Sequence, residues 1–272
     1  MRWWACLFLV AACGGRPPPA PRGIVSLLPS WTDVIVELGQ ADRLVGCTEA
    51  CTPGRDVERV PWRGPQATEA IVRLRPALVV RQAPRAARDP LQSTLTRAGI
   101  EVLSLPSETI ADVRDSIVAI ALALGMGESG TGYVRRFDSA LAGARAEAAG
   151  KPRPTVLFVF GRAAGAVAKI DAAGPGCFLD ELLRYAGGRN VLEGTGPYPK
   201  VSLEEVVRLK PEVIIDNVPG GTDPFEAWRG FETIPAVRDR RVHAVSDNRL
   251  LIPGPHIPRS VARLVEMIHG RP

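Results

Sequence analysis

The chain has 272 residues, 46% hydrophobic and 23% charged, which is enough for one large or two small globular domains with a sizeable core. Its formal net charge is +5, but Arg, Asp and Glu are interspersed without a long block of one sign. That distribution argues against a nucleic-acid-binding surface.

Met1-Arg2 supplies a positive end, and Trp3 to Ala12 is an apolar run of signal-peptide length, too short for a stable membrane span. The run closes on Val10-Ala11-Ala12-Cys13-Gly14, which resembles the lipobox of bacterial lipoproteins. By that resemblance residues 1–12 are a signal peptide and Cys13 is the lipidated mature N-terminus. A plain secretory signal with an incidental Cys is the other reading. Residues 13–22 follow as a Pro-rich tether. No later run is apolar enough to cross a membrane, so the body is expected to be soluble.

From residue 23 short apolar strands alternate with helical patterns, which predicts α/β lobes with parallel sheets. Ile24 to Leu28 reads as a strand, with Ser30 capping a helix over Trp31 to Leu38. Arg43 to Gly46 is a second strand. Thr68 caps a helix over Glu69 to Leu74, Pro76 stops it, and Ala77 to Val80 is a buried strand. A helix over Leu91 to Ala98 and a strand over Glu101 to Leu105 complete a lobe of residues 23–124. From Ser107, a good N-cap, to Ala149 there is no strand signal. Residues 125–150 form a connecting helix suited to act as a strut.

The pattern then restarts in residues 151–272. Thr155 to Phe160 is a strand, Phe178 to Ala186 a helix, Ser202 caps Leu203 to Leu209, and Val213 to Ile215 is a strand. A strand over Val242 to Val245 and a helix over Pro258 to Ile268 end the chain. EAIVRLRPALVV at 69–80 and EEVVRLKPEVII at 204–215 are copies of one helix–Pro–strand unit. The chain is therefore expected to fold as two similar Rossmann-like lobes joined by a single long helix, with a cleft between them, a favoured place for a ligand. The repeat equates Glu69 with Glu204, each in the first turn of its helix. Helix-end electrostatics is one reading of that pair; two exposed charges for a partner with two basic pockets is the other.

IVSLLPSWTDVIVELGQADRLVG, the two copies of the repeat, AGGRNVLEGTGPYPKVS and RLLIPGPHIPRSVARLVEMI, in that order, resemble the class III periplasmic substrate-binding proteins of ABC importers. The resemblance runs from about Gly23 to His269 and looks closest to the vitamin B12-binding members. It implies a shallow cleft with little hinge closure. It also implies that Glu69 and Glu204 dock into Arg pockets of the permease. Trp62, Phe160 and Tyr198 match aromatic positions around the ligand, and Arg259 matches a basic one. The sequence departs from the B12 binders in GCTEACTPG, which carries no aromatic, and at Gln82, where they have an aromatic. Those departures leave room for a ferric siderophore or haem.

The implied protein is not an enzyme. It is a monomeric, membrane-anchored periplasmic lipoprotein, partnered by an ABC permease and its ATPase. It has no resident cofactor or metal, since any cobalt or iron arrives within the chelate it carries. His256 is a candidate axial ligand to such a metal, with an ordinary loop histidine as the alternative. Cys47 and Cys51 are close enough in sequence to pair in a suitable turn, with buried free thiols the alternative. The rival functions are a tetrapyrrole chelatase-like enzyme and a lipoprotein scaffold without transport. Against the enzyme stand the lipidation signal and the lack of a His/Glu constellation; G-x-S-x-G, H-E-x-x-H and P-loop motifs are also missing.

Overall fold

A computed structural model describes residues 23–84, 89–163, 166–217, 223–245 and 248–270. The signal peptide, Cys13 and the tether lie outside the described residues.

The first lobe comprises β1 (Ile24–Ser26), α1 (Pro29–Glu37), β2 (Leu44–Cys47), β3 (Glu58–Arg59), α2 (Pro65–Leu74), β4 (Leu78–Gln82), α3 (Pro90–Arg97) and β5 (Glu101–Leu105). Its sheet has the order β3-β2-β1-β4-β5 and every pairing is parallel. Next come α4 (Ile110–Ala123) and α5 (Gly127–Ala148). With 22 residues, α5 is about 33 Å long. The two helices pack closely: a Cβ on Gly130 would stand 2.4 Å from that of Ala121, so glycine sets the α4–α5 spacing.

The second lobe comprises β6 (Thr155–Arg162), β7 (Lys169–Ala172), α6 (Phe178–Tyr185), β8 (Arg189–Asn190), β9 (Lys200–Ser202), α7 (Leu203–Leu209) and β10 (Val213–Asn217). It ends with α8 (Pro224–Trp228), α9 (Pro235–Arg238), β11 (Val242–Val245) and α10 (Ile257–His269). The sheet runs β11-β10-β6-β7-β9, with β8 beside β6. Here the parallel expectation is corrected. β7 is antiparallel to both β6 and β9, so this sheet is mixed. KIDA and KVS are too short and too polar to announce themselves as strands.

Alternation along the central strands explains the layering. Ile24, Leu78, Val80, Val156, Phe158, Val213 and Ile215 face one continuous core, shared by both lobes and filled by α1, α4, α5, α6 and α10. Val25 and Val79 turn the other way, onto α2 and α3. Leu157, Val159 and Ile214 likewise turn to an outer core around Trp228. Both sheets are thus covered on both faces. A core common to the two lobes gives them little freedom to swing. Two polar ties add to it: the Ile110 N–H donates to Glu181 Oε2 at 2.7 Å, and the Tyr133 hydroxyl donates to Glu37.

The internal repeat survives in backbone detail. Both copies end their helix on a non-glycine residue in the left-handed region, Arg75 (φ 47°) and Lys210 (φ 50°), each followed by Pro. The strands after them, β4 and β10, both pair in parallel with the first strand of their lobe.

Three capping expectations are corrected. α1 starts at Pro29, so Ser30 sits inside the helix with its hydroxyl buried and without a partner. α4 is capped by Thr109, in a reciprocal box with Asp112, not by Ser107. α2 starts at Pro65 behind Gly64, which moves Thr68 and Glu69 into the second turn. Only α7 has the predicted arrangement, with Ser202 accepting from the Glu205 N–H at 3.3 Å.

Candidate functional site

In sheets of this kind ligands bind beyond the carboxyl ends of the parallel strands. There the two lobes face each other. A cavity of about 260 Å³ is bounded by Gln82, Ser107 and Glu108 on one side and by Phe160, Tyr198 and Leu251 on the other. Gln82 also borders a second cavity of about 440 Å³, which extends over the first lobe past Leu28, Arg81 and Trp62. A larger groove of about 560 Å³ runs between α5 and α6 near Arg145 and Tyr185. It lies at the opposite end, where β6 begins, and is walled by helices rather than by strand ends.

Phe160 leaves β6 half-buried and meets Tyr198 edge-on, with ring centroids 5.7 Å apart and planes at 86°. Its carbonyl accepts from the Asn217 side-chain amide at 3.0 Å. Tyr198, 55% exposed, sits on the loop before β9. That loop is pinned by Gly174, whose N–H donates to the Pro197 carbonyl at 3.0 Å. A Cβ on Gly174 would lie 2.0 Å from the Gly196 carbonyl, so only glycine permits the approach. Trp62 is 63% exposed on the facing lobe, with the Arg63 guanidinium 3.9 Å above its ring. Phe160 and Tyr198 therefore line the interlobe cavity from the second lobe, while Trp62 lines the adjoining cavity on the first lobe, the two cavities sharing Gln82.

Beneath the second lobe's side of the cleft, Arg162 and Asp216 form an ion pair at 2.9 Å, with 1% and 0% of their side chains exposed. Trp228 donates its indole N–H to the same carboxylate at 2.9 Å. Asn190 donates to the Ala173 carbonyl and to Asp180, holding the turn before Phe178 and Leu179, which also line the cleft. Sequence reasoning overlooked Ser107, Glu108, Phe178, Leu251 and Arg81 as lining residues. For Ser107 and Glu108 the available signal was their position just past the end of β5; Arg81 lies within β4, and Phe178 and Leu251 come several residues after their strands.

His256 and Arg259 are not among the residues lining these cavities. His256 is buried; its Nε2 is 3.0 Å from the Ile252 carbonyl and its Nδ1 3.9 Å from Asp33 of α1. Both ring nitrogens are thus turned to protein groups. Arg259 is exposed on the first turn of α10, within electrostatic reach of Tyr133. Glu69 and Glu204 are exposed, one on each lobe. α2 and α7 each run back to the start of a parallel strand, so their N-terminal halves lie at the cleft end. Glu204 is held below the ordinary carboxylate range by its own backbone N–H and by the Ser202 hydroxyl. Cys47 and Cys51 are buried free thiols.

Among the described residues no helix is long and apolar enough to cross a membrane. A family model described as periplasmic binding protein matches residues 24–248. An uncharacterized ABC transporter substrate-binding lipoprotein, YvrC of Bacillus subtilis, is 27% identical over 256 residues, covering 92% of this chain and 80% of that protein. A cobalamin-binding protein of Halobacterium salinarum is 29% identical over 270 residues, covering 92% and 70%. Among solved structures, the periplasmic heme-binding protein BhuT, in complex with two hemes, superposes with a TM-score of 0.77 at 27% identity, covering 91% and 97%. The family model takes in the strands of both lobes, and on that match the chain belongs to the periplasmic binding protein family.

Proposed function

We propose that this protein is the solute-binding component of an ABC importer, and that it captures a metal chelate in the interlobe cleft and hands it to a permease and its ATPase. A corrinoid is the first candidate, with a ferric siderophore or haem next. The observation that supports this reading is the Phe160–Tyr198 pair lining the interlobe cavity, with Trp62 in the adjoining first-lobe cavity that shares Gln82. Aromatic side chains present a large apolar area with few rotamers to freeze, which suits a broad, flat macrocycle. Relatives named for cobalamin, and structural neighbours named for heme, support the ligand class.

Glu69 and Glu204 are the proposed docking charges, one per lobe. Cys13 is the proposed lipid attachment, holding the monomeric body at a membrane in the periplasm. Isothermal titration with cyanocobalamin, haem and a ferric siderophore panel tests the ligand. Saturable one-to-one binding of one of them is expected, and binding of none would overturn the chelate reading. Arginine at both Glu69 and Glu204 is expected to abolish co-purification with the permease while leaving that titration unchanged. Normal association of the double variant would remove the docking role.

A further inference from the structure

At the carboxyl end of β2 the chain turns sharply, and the turn carries two thiols. Cys47 is the last residue of the strand and lies in register with Arg59 of β3. The Cys51 N–H donates to the Thr48 carbonyl at 3.1 Å, which folds the segment back on itself. Both cysteines are buried, 0% and 3% exposed. One nitrogen of the Arg59 guanidinium gathers the turn: it lies 3.3 Å from Cys47 Sγ, 3.0 Å from the Thr48 carbonyl and 3.0 Å from the Cys51 carbonyl. Cys51 Sγ is 3.1 Å from the Thr48 hydroxyl. Burial, and after it the neighbouring Cys51 thiol, push the Cys47 thiol up to about 11, as expected of two thiols sharing one dry pocket. Among the described residues no cluster of three His, Cys, Asp or Glu is placed to hold a metal ion, so the pair is not part of such a site. Cys177 is different. It caps α6, accepting from the Asp180 N–H at 3.4 Å.

We infer that Cys47 and Cys51 form a reversible disulfide within the native fold, closing the turn that Arg59 already gathers. The oxidant is a small or protein-borne disulfide. The thiolate of one cysteine attacks a sulfur of that disulfide and expels the first thiolate. The second cysteine then displaces the remaining oxidant sulfur. One S–S bond forms and one breaks, two electrons pass to the oxidant, and the two protons leave on its two thiols. The closed form ties the end of β2 to the loop running towards β3, the strand that leads to Trp62.

The test uses the folded full-length protein, incubated with oxidised glutathione, then denatured and alkylated. Trypsin releases both cysteines in one peptide, Leu44 to Arg55. Mass spectrometry is expected to find that peptide lighter by two hydrogens and free of alkyl groups, while Cys177 is alkylated. Treatment with dithiothreitol before alkylation is expected to restore two alkyl groups. Alkylation of both cysteines after glutathione treatment would overturn the inference. So would a persistent glutathione adduct on either one, or ring closure only in urea.

Discussion

The two lobes are copies of one unit, yet they treat one position with opposite charge. Carrying the alignment of the repeat one residue further sets Arg81 of β4 opposite Asp216 of β10. In the first lobe Arg81 pairs with Asp89, and their side chains keep 13% and 15% exposure at the cleft. In the second lobe Asp216 is wholly buried against Arg162 and Trp228. The same fold position is thus a part-wet rim in one lobe and a dry polar core in the other. A polar residue at a strand end does not disclose its depth; the residues packed over it decide that.

Removing one member of each pair tests this contrast, and gives the largest expected effect. Asp216→Ala leaves a guanidinium buried without a counter-charge and strips Trp228 of its acceptor, so it should cost about 3–5 kcal/mol in urea unfolding. Asp89→Ala also loses a helix cap, since its carboxylate accepts from the Gln92 N–H at 3.3 Å. It leaves Arg81 within reach of water, so the loss should be only about 1–2 kcal/mol. Equal costs would mean that burial does not separate the lobes.

Acidity should separate them by sign. All three histidines lie in the second lobe's sequence. His243 is lowered from 6.5 mainly by burial, then by Arg241 and Arg263. His269 is lowered first by burial, with its contact to the Ala186 carbonyl opposing the shift. A depressed histidine sheds its proton in the folded state while the unfolded chain still binds one. Stability therefore rises with pH from the depressed value up to about 6.5, with a limit of about 1.4 kcal/mol per pH unit for each group. Both are only partly buried, so solvent screening keeps the slope well under that limit. Asp33 of the first lobe is raised, chiefly by burial, with His256 and Arg249 opposing. Its contribution is full at low pH and is lost as pH rises past 3.8 through the folded value. Urea midpoints between pH 5 and 7 should rise with pH, and His243→Gln should flatten that rise. An unchanged slope in the variant would assign it elsewhere.

Much of this architecture was legible in the sequence because apolar period and Pro stops are local signals. β5, α7 and β11 fall where the pattern puts them, and α5 within two residues of its expected ends. β7 and β9 were not legible, because edge pairing depends on a partner strand that the segment itself does not name. Of the aromatic positions, 160 and 198 line the interlobe cavity and 62 lines an adjoining one on the first lobe. His256 does not line the cavities, because its ring is taken up by the Ile252 carbonyl and the side of α1.

The caps show most plainly where local reading stops. Thr68 stands one residue before Glu69 and Ser202 two residues before Glu204, so the two hydroxyls precede the matched Glu pair one position apart. Ser202 caps α7 because β9 delivers an extended backbone (φ −84°, ψ 159°) directly to it. Thr68 cannot cap, because Gly64 at φ 87° and Pro65 start α2 earlier, and the hydroxyl arrives already inside the helix. A hydroxyl stabilises a helix start only where the preceding backbone is extended and an N–H two or three residues on is unpaired. Ser202→Ala should therefore cost about 1 kcal/mol, and Thr68→Ala less than about 0.5 kcal/mol. Ser202→Ala should also raise the Glu204 carboxyl towards its ordinary range, because that hydroxyl is one of the two groups holding it down. Carboxyl NMR titration reads that shift separately from stability. A Thr68 variant as costly as the Ser202 variant would place the start of α2 directly after Thr68, where the sequence pattern alone put it.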